Sequence, residues 1–211
     1  MGVAVCDIGG GTTDLAIYID GDVWHTSVLP VGGNHITSDI AHGLRLPISQ
    51  AEDVKKQYGH ALEAEVGADE TFTIRPFGEE TPIQFSRREL ATIVGARTEE
   101  IFDMALQEIK RSGYDGLLPA GVVLTGGASQ LPGLRAMASQ VLALPVRLAR
   151  PENLLGLVDQ LNSPAYSTSV GLLYWALLMS ETAPVPTGRR PQKGVPLDWD
   201  TIKTYLKRLL P

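Results

Sequence analysis

The sequence contains a single cysteine, Cys6, among 211 residues, so no internal disulfide can form and the chain fits a reducing compartment. Long apolar runs are missing as well. The longest strongly apolar stretch, residues 171–179 (GLLYWALLM), falls far short of the ~20 residues a membrane span needs. No basic-then-apolar leader precedes the first strand pattern. Together these absences predict a cytoplasmic protein. His35 and His42 share one helical face at i, i+7, but no carboxylate or cysteine cluster joins them, which argues against a metal site there. No Ser-His-Asp or paired-carboxylate arrangement stands out.

What is present describes a folded chain. Hydrophobic residues make up 44% and charged residues 20%, ordinary proportions for a packed core of one large or two small domains. The net charge of -6 is unevenly spread. Residues 1–182 carry 12 Lys and Arg against 22 Asp and Glu, whereas residues 183–211 carry 6 against 2. The acidic body excludes broad nucleic-acid binding, and the short basic tail is a separate object.

Along the chain, VAVCDIG, DLAIYID and DVWHTSVLPV alternate as strands and are joined tightly enough to predict an antiparallel meander. Ile36, Ile40 and Leu44 then switch to helical spacing, with Gly33 and Asn34 at the start, and a charged helix covers about 49–58. TFTIRPF and PIQF predict a small hairpin. Ser86-Arg87-Arg88-Glu89 is a capping box that opens a long helix towards Ser112, with Gly113 closing it. Gly95 inside that helix weakens its continuity. A buried strand (GVVL), a double glycine, a helix from about Leu134 and a short strand (VRLARP) follow. Residues 163–181 predict a mostly apolar helix packed inside.

Three consecutive glycines and two threonines, Gly9-Gly10-Gly11-Thr12-Thr13, exceed what a turn needs. Such a loop lets phosphate oxygens approach the backbone N–H groups closely. Asp7 before it is placed to hold Mg²⁺ through waters, and Asp14 after it to orient a metal-bound or attacking water. The alternative is a plain hairpin with flexible glycines. The loop is neither a Walker P-loop, lacking GK[ST], nor a dinucleotide fingerprint, since no helix follows. Cys6, in the buried strand, reads as core rather than nucleophile.

DIGGGTTD resembles the second phosphate motif of the actin-like ATPase superfamily. Two further stretches resemble that superfamily in the same order. Around Glu52 and Lys55, AEDVK resembles the helix that touches ribose and adenine; by spacing alone these two are a solvated i, i+3 pair. LTGGAS, containing Gly126, Gly127, Ala128 and Ser129, resembles the adenosine motif; by itself it is a strand-to-helix turn. LPVGGNHITSDIAHGLRLPISQAEDVKKQYG and VVLTGGASQLPGL together resemble the FtsA family of bacterial cell division over residues 3–182.

That resemblance implies an α/β, ribonuclease H-like actin fold. Subdomain 2A would cover 1–59 and 113–182, with an α+β subdomain 2B inserted at 60–112. It further implies ATP and Mg²⁺ as cofactors and self-assembly into filaments. It also implies docking of the FtsZ C-terminal tail on 2B near Arg97 and Glu100, at the cytoplasmic face of the inner membrane and the division septum.

Residues 183–196 (APVPTGRRPQKGVP) read as a flexible basic linker. Beyond it, Trp199, Ile202, Tyr205, Leu206, Leu209 and Leu210 fall within an arc of about 140° at helical spacing, opposite Lys203, Lys207 and Arg208. Such a helix suits anionic head groups; the alternative is a helix folded back on the core. The superfamily's first phosphate loop, of Asp-x-Gly-Ser/Thr type, has no counterpart in these residues, so weak nucleotide binding and negligible hydrolysis are expected of this chain alone. Two other readings stay open: an actin-like scaffold of type IV pilus assembly, and part of a small-molecule kinase of the same fold.

Overall fold

The structure is a computed structural model that describes residues 1–152, 154 and 161–182. The linker at 183–196 and the amphipathic segment, with Trp199, Ile202, Lys203, Tyr205, Leu206, Lys207, Arg208, Leu209 and Leu210, lie outside the described residues. Met1–Leu173 is one compact unit, and Tyr174–Pro211 is a second.

Alternating burial builds the meander. In β1 (Gly2–Ile8), Ala4, Cys6 and Ile8 face the core while their neighbours are partly exposed. β1 pairs antiparallel with β2 (Thr13–Ile19), which pairs antiparallel with β3 (Asp22–Leu29). On its other side β1 pairs in parallel with β6 (Val122–Thr125), and β6 with β7 (Val146–Leu148), giving the order β3-β2-β1-β6-β7. β6 is buried at every position, as a central strand covered on both faces must be. Asp7 stands in register with Thr125, so the loops that leave β1 and β6 emerge side by side. Ligands of open α/β sheets bind at this carboxyl end.

Between β3 and β6 the chain forms α1 (Gly33–Leu44), α2 (Ile48–Tyr58), the hairpin β4 (Thr71–Ile74) with β5 (Ile83–Ser86), and α3 (Arg87–Ser112). Ser86 caps α3 by accepting the Glu89 N–H, and Gly113 ends it at φ 78°. α3 runs unbroken through 26 residues. Gly95 does not weaken it; a Cβ there would stand 2.8 Å from the Ala61 carbonyl oxygen, so glycine admits a neighbouring chain segment. Two apolar cores meet along α3. Ile101 and Ala105 pack with Leu29, Ile36, Ile40 and Val94. Phe102 and Ile109 pack with Ile8, Leu15, Leu124 and Leu134, the last from α4 (Leu134–Leu142). The hairpin is held by Phe72, which stacks on Tyr58 of α2 at 4.6 Å and meets Phe85 edge-on.

The last helix, α5 (Ser167–Thr182), corrects one expectation. Its start is not packed inside throughout: Leu172 and Leu173 are 61% and 65% exposed, and Val170 is buried. A helix apolar on every side carries no stripe, so its pattern names no face for a core to cover.

Candidate functional site

Three segments far apart in sequence line one cleft of about 510 Å³: the glycine loop with Gly9 and Gly10, α2 with Glu52 and Lys55, and the turn after β6 with Gly127 and Ala128. The volume suits a nucleotide-sized ligand. Ile36, Leu131, Pro132 and Ala165 supply apolar lining, and Lys56 adds a second cation.

The glycine loop is tied to the start of α1. Gly33 and Asn34 donate their backbone N–H groups to the Gly9 and Gly10 carbonyls at 2.9 and 2.8 Å. These donors are orphans of the helix's first turn, and they are satisfied here by the loop. Gly32 is the cap, and its N–H reaches His35 Nδ1 at 3.1 Å. A Cβ on Gly32 would stand 2.8 Å from both loop carbonyls, so the close approach requires glycine. Thr13 is buried and donates to the Val31 carbonyl at 2.8 Å, which anchors the far end of the loop. Gly11 and Thr12 are exposed at the tip.

Asp7 and Asp14 are cross-strand partners at the base of the loop. Asp14 is exposed and accepts from Thr12 Oγ1 at 3.3 Å. Asp7 accepts from Thr168 Oγ1 at 2.5 Å. Neither lines the cleft itself. Among the described residues no group of three or more His, Cys, Asp or Glu could cage a metal. One carboxylate at the base of a glycine-rich loop fits an ion that keeps its waters and takes phosphate oxygens, which is the habit of Mg²⁺. Cys6 is core: burial first, then Asp7 and Asp14, push its thiol up to about 12.

Glu52 and Lys55 are not a solvated pair. Lys55 has 12% side-chain exposure, and Nζ donates to Glu52 Oε2 at 2.6 Å, Thr37 Oγ1 at 2.8 Å and the Gly33 carbonyl at 3.0 Å. All three ammonium protons are thereby placed. Thr37 also reaches Glu52 Oε2, at 2.5 Å. Burial works against the Glu52 anion, yet hydrogen bonds from Lys55 and Thr37 and the Lys55 charge outweigh it and hold the carboxyl below its usual range. The pair thus ties α2 to the first turn of α1, which in turn holds the glycine loop.

In the third segment, Gly126 and Ser129 stand behind the lining. Ser129 is buried and donates to the Gly126 carbonyl at 2.7 Å. Gly126 adopts φ 86° and ψ 161°, and a Cβ there would lie 2.3 Å from Asp7 Oδ1. Arg97 and Glu100 belong elsewhere on the molecule's framework. Arg97 forks onto Asp39 of α1 with bonds of 2.6 and 3.0 Å and reaches Glu100 at 2.5 Å, while Glu100 is half-exposed. Sequence reasoning missed Lys56 and Ala165 as lining and Thr168 as the partner of Asp7. It read Gly33 and Asn34 only as a helix start, though that position was the available signal.

A family model described as "Cell division protein FtsA" matches residues 4–171. The chain belongs to the FtsA family. FtsA of Pseudomonas aeruginosa is 45% identical over 177 residues, covering 84% of this chain and 42% of that protein. FtsA of Escherichia coli is 42% identical over 182 residues, covering 83% and 43%. The chain therefore spans about two-fifths of the length of these curated FtsA relatives. Among solved structures, MreB5 of Spiroplasma citri bound to ADP superposes with a TM-score of 0.65 over 86% of this chain and 56% of that one. At 22% identity this likeness concerns the fold, which is that of the actin-like ATPases. The membership favours the FtsA reading over the pilus and kinase alternatives, and it makes the chain an actin-like cell-division protein.

Proposed function

We propose that this chain supplies the nucleotide-holding and FtsZ-linking half of a cell-division adaptor that joins the FtsZ ring to the inner membrane. The observation that carries the nucleotide part is the convergence of the three motifs on one cleft. The Gly9–Thr13 loop would receive the β- and γ-phosphates of ATP through the N–H groups of Gly10 to Thr12. The Gly9 N–H already donates to the Thr12 carbonyl at 2.9 Å. Glu52 and Lys55 would face the ribose and adenine, and Gly126 to Ser129 would lie against the nucleoside. Asp7 would hold Mg²⁺ through its waters, with Asp14 orienting a further water. When bound, the ion neutralises charge on the phosphates. Phosphoryl transfer depends on surrounding the phosphates on all sides, so residues 1–211 by themselves bind nucleotide weakly and turn it over negligibly.

In this reading 60–112 forms the inserted subdomain 2B within subdomain 2A (1–59 and 113–182), and the FtsZ tail docks near Arg97 and Glu100. Copies associate as actin-like filaments. The basic linker and the Trp199–Leu210 segment place the protein on anionic lipid at the septum. No helix among the described residues is long and apolar enough to cross a membrane.

Two measurements test the proposal. Lys55→Met should raise the Kd for Mg-ADP, read by titration calorimetry, at least about tenfold, the scale of one charge-assisted network. Unchanged affinity removes α2 from the nucleotide site. In co-sedimentation, FtsZ should pellet with vesicles containing anionic lipid only when the chain is present, and should stay in the supernatant once residues 183–211 are deleted. Equal pelleting in all three arms sinks the adaptor role.

A further inference from the structure

At the carboxyl ends of β1 and β6, the start of α5 makes two separate hydroxyl contacts with the nucleotide motifs. Thr168 Oγ1 lies 2.5 Å from Asp7 Oδ2. Ser167 Oγ lies 2.5 Å from Thr125 Oγ1, and Thr125 is in register with Asp7. An ionised carboxylate only accepts, so Thr168 donates to Asp7. Ser167 and Thr125 share a hydroxyl–hydroxyl bond in which either can donate, and Thr125 also lies 3.2 Å from the Ala149 carbonyl. The first two residues of α5 therefore each bond to a strand end. The preceding turn is tied in the same way, through the Gly126 N–H to the Pro164 carbonyl at 3.2 Å. Its Ala165 lines the cleft.

One oxygen of Asp7 is thereby restrained: Oδ2 is held by Thr168, while Oδ1 lies beside Gly126, where a Cβ would stand 2.3 Å away. Asp7 is only partly buried, so without the Thr168 hydroxyl its carboxylate would exchange that bond for water and rotate more freely.

We propose that Thr168 is a positioning residue for Asp7, aiming its carboxylate at the water shell of nucleotide-bound Mg²⁺ and coupling the first turn of α5 to cation occupancy. The proposal rests on the nucleotide reading above. It predicts a loss confined to the metal-dependent part of binding. Titrations of ADP with the 211-residue chain, in Mg²⁺ and in EDTA, measure that part as the ratio of the two Kd values. Thr168→Val, nearly isosteric but without the hydroxyl, should cut the ratio at least about threefold while the metal-free Kd stays within twofold. Thr168→Ser should restore the ratio. A ratio unchanged by valine, or Kd values that rise equally with and without Mg²⁺, overturns the role.

A second readout needs no nucleotide. The thermal losses of Thr168→Val and Asp7→Asn should be less than additive in the double variant; additive losses overturn the contact. An unsubstituted chain that binds no ADP overturns the nucleotide reading and the cation role with it. In that case the double variant still judges the Asp7–Thr168 contact by itself.

Discussion

Gly126→Ala should lower the midpoint of thermal unfolding by roughly 4–24 °C and, if the cleft holds nucleotide as proposed, weaken ADP binding, as circular dichroism melts and calorimetric titration would record. Two costs combine. At φ 86° and ψ 161° the backbone occupies a region that is nearly exclusive to glycine, worth roughly 1–3 kcal/mol for any other residue. The added methyl would also stand 2.3 Å from Asp7 Oδ1 and 2.5 Å from the Ile8 carbonyl oxygen. Neither neighbour is a flexible tip: one is the restrained carboxylate and the other is main chain of the central strand. Overpacking of this kind adds about 1–3 kcal/mol, and each kcal/mol moves the midpoint by roughly 2–4 °C at this chain length. Gly11→Ala is the control, because a Cβ there meets nothing within 4 Å. Its melt should shift by no more than about 2 °C. Equal shifts for the two variants would mean that the close packing of Asp7 against Gly126 is not what holds the two loops together.

Phe102→Ala should cost about 3–5 kcal/mol, the range for emptying a large buried aromatic position. Phe102 is fully buried and belongs to the core under the sheet, with Ile8, Leu124 and Leu134. Phe102→Leu keeps most of the volume and should cost less than about 1.5 kcal/mol. Urea unfolding followed by fluorescence measures both, and the midpoint should move while the slope stays constant. A loss below about 1 kcal/mol for the alanine variant would show that α3 does not anchor that core.

The local elements were legible because their signals are local. The alternation in VAVCDI and DLAIYI predicts β1 and β2, and Ser86 with Gly113 brackets α3. The parallel pairing of β1 with β6 was not legible from pattern, since it joins residues such as Cys6 and Leu124 across most of the chain. The resemblance named the fold class, but the pairing itself came only from the structure. Glu52 and Lys55 illustrate the same limit within the site. Their i, i+3 spacing describes a surface pair equally well, and only Thr37 and Gly33, brought in by α1, bury it. Thr168 lies 161 residues from Asp7, and a lone threonine in an apolar helix announces no such partner. α5 misled for the opposite reason: its uniform apolarity suggested burial where Leu172 and Leu173 are exposed.

α3 contributes to both cores through adjacent stripes of one face, Ile101 and Ala105 to one and Phe102 and Ile109 to the other. Neither core can therefore come apart while the other keeps its helix intact. Residues 1–173 are therefore expected to melt as a single cooperative event. A lesion in the hairpin region is therefore expected to loosen the cleft as well, because both cores lean on the same helix.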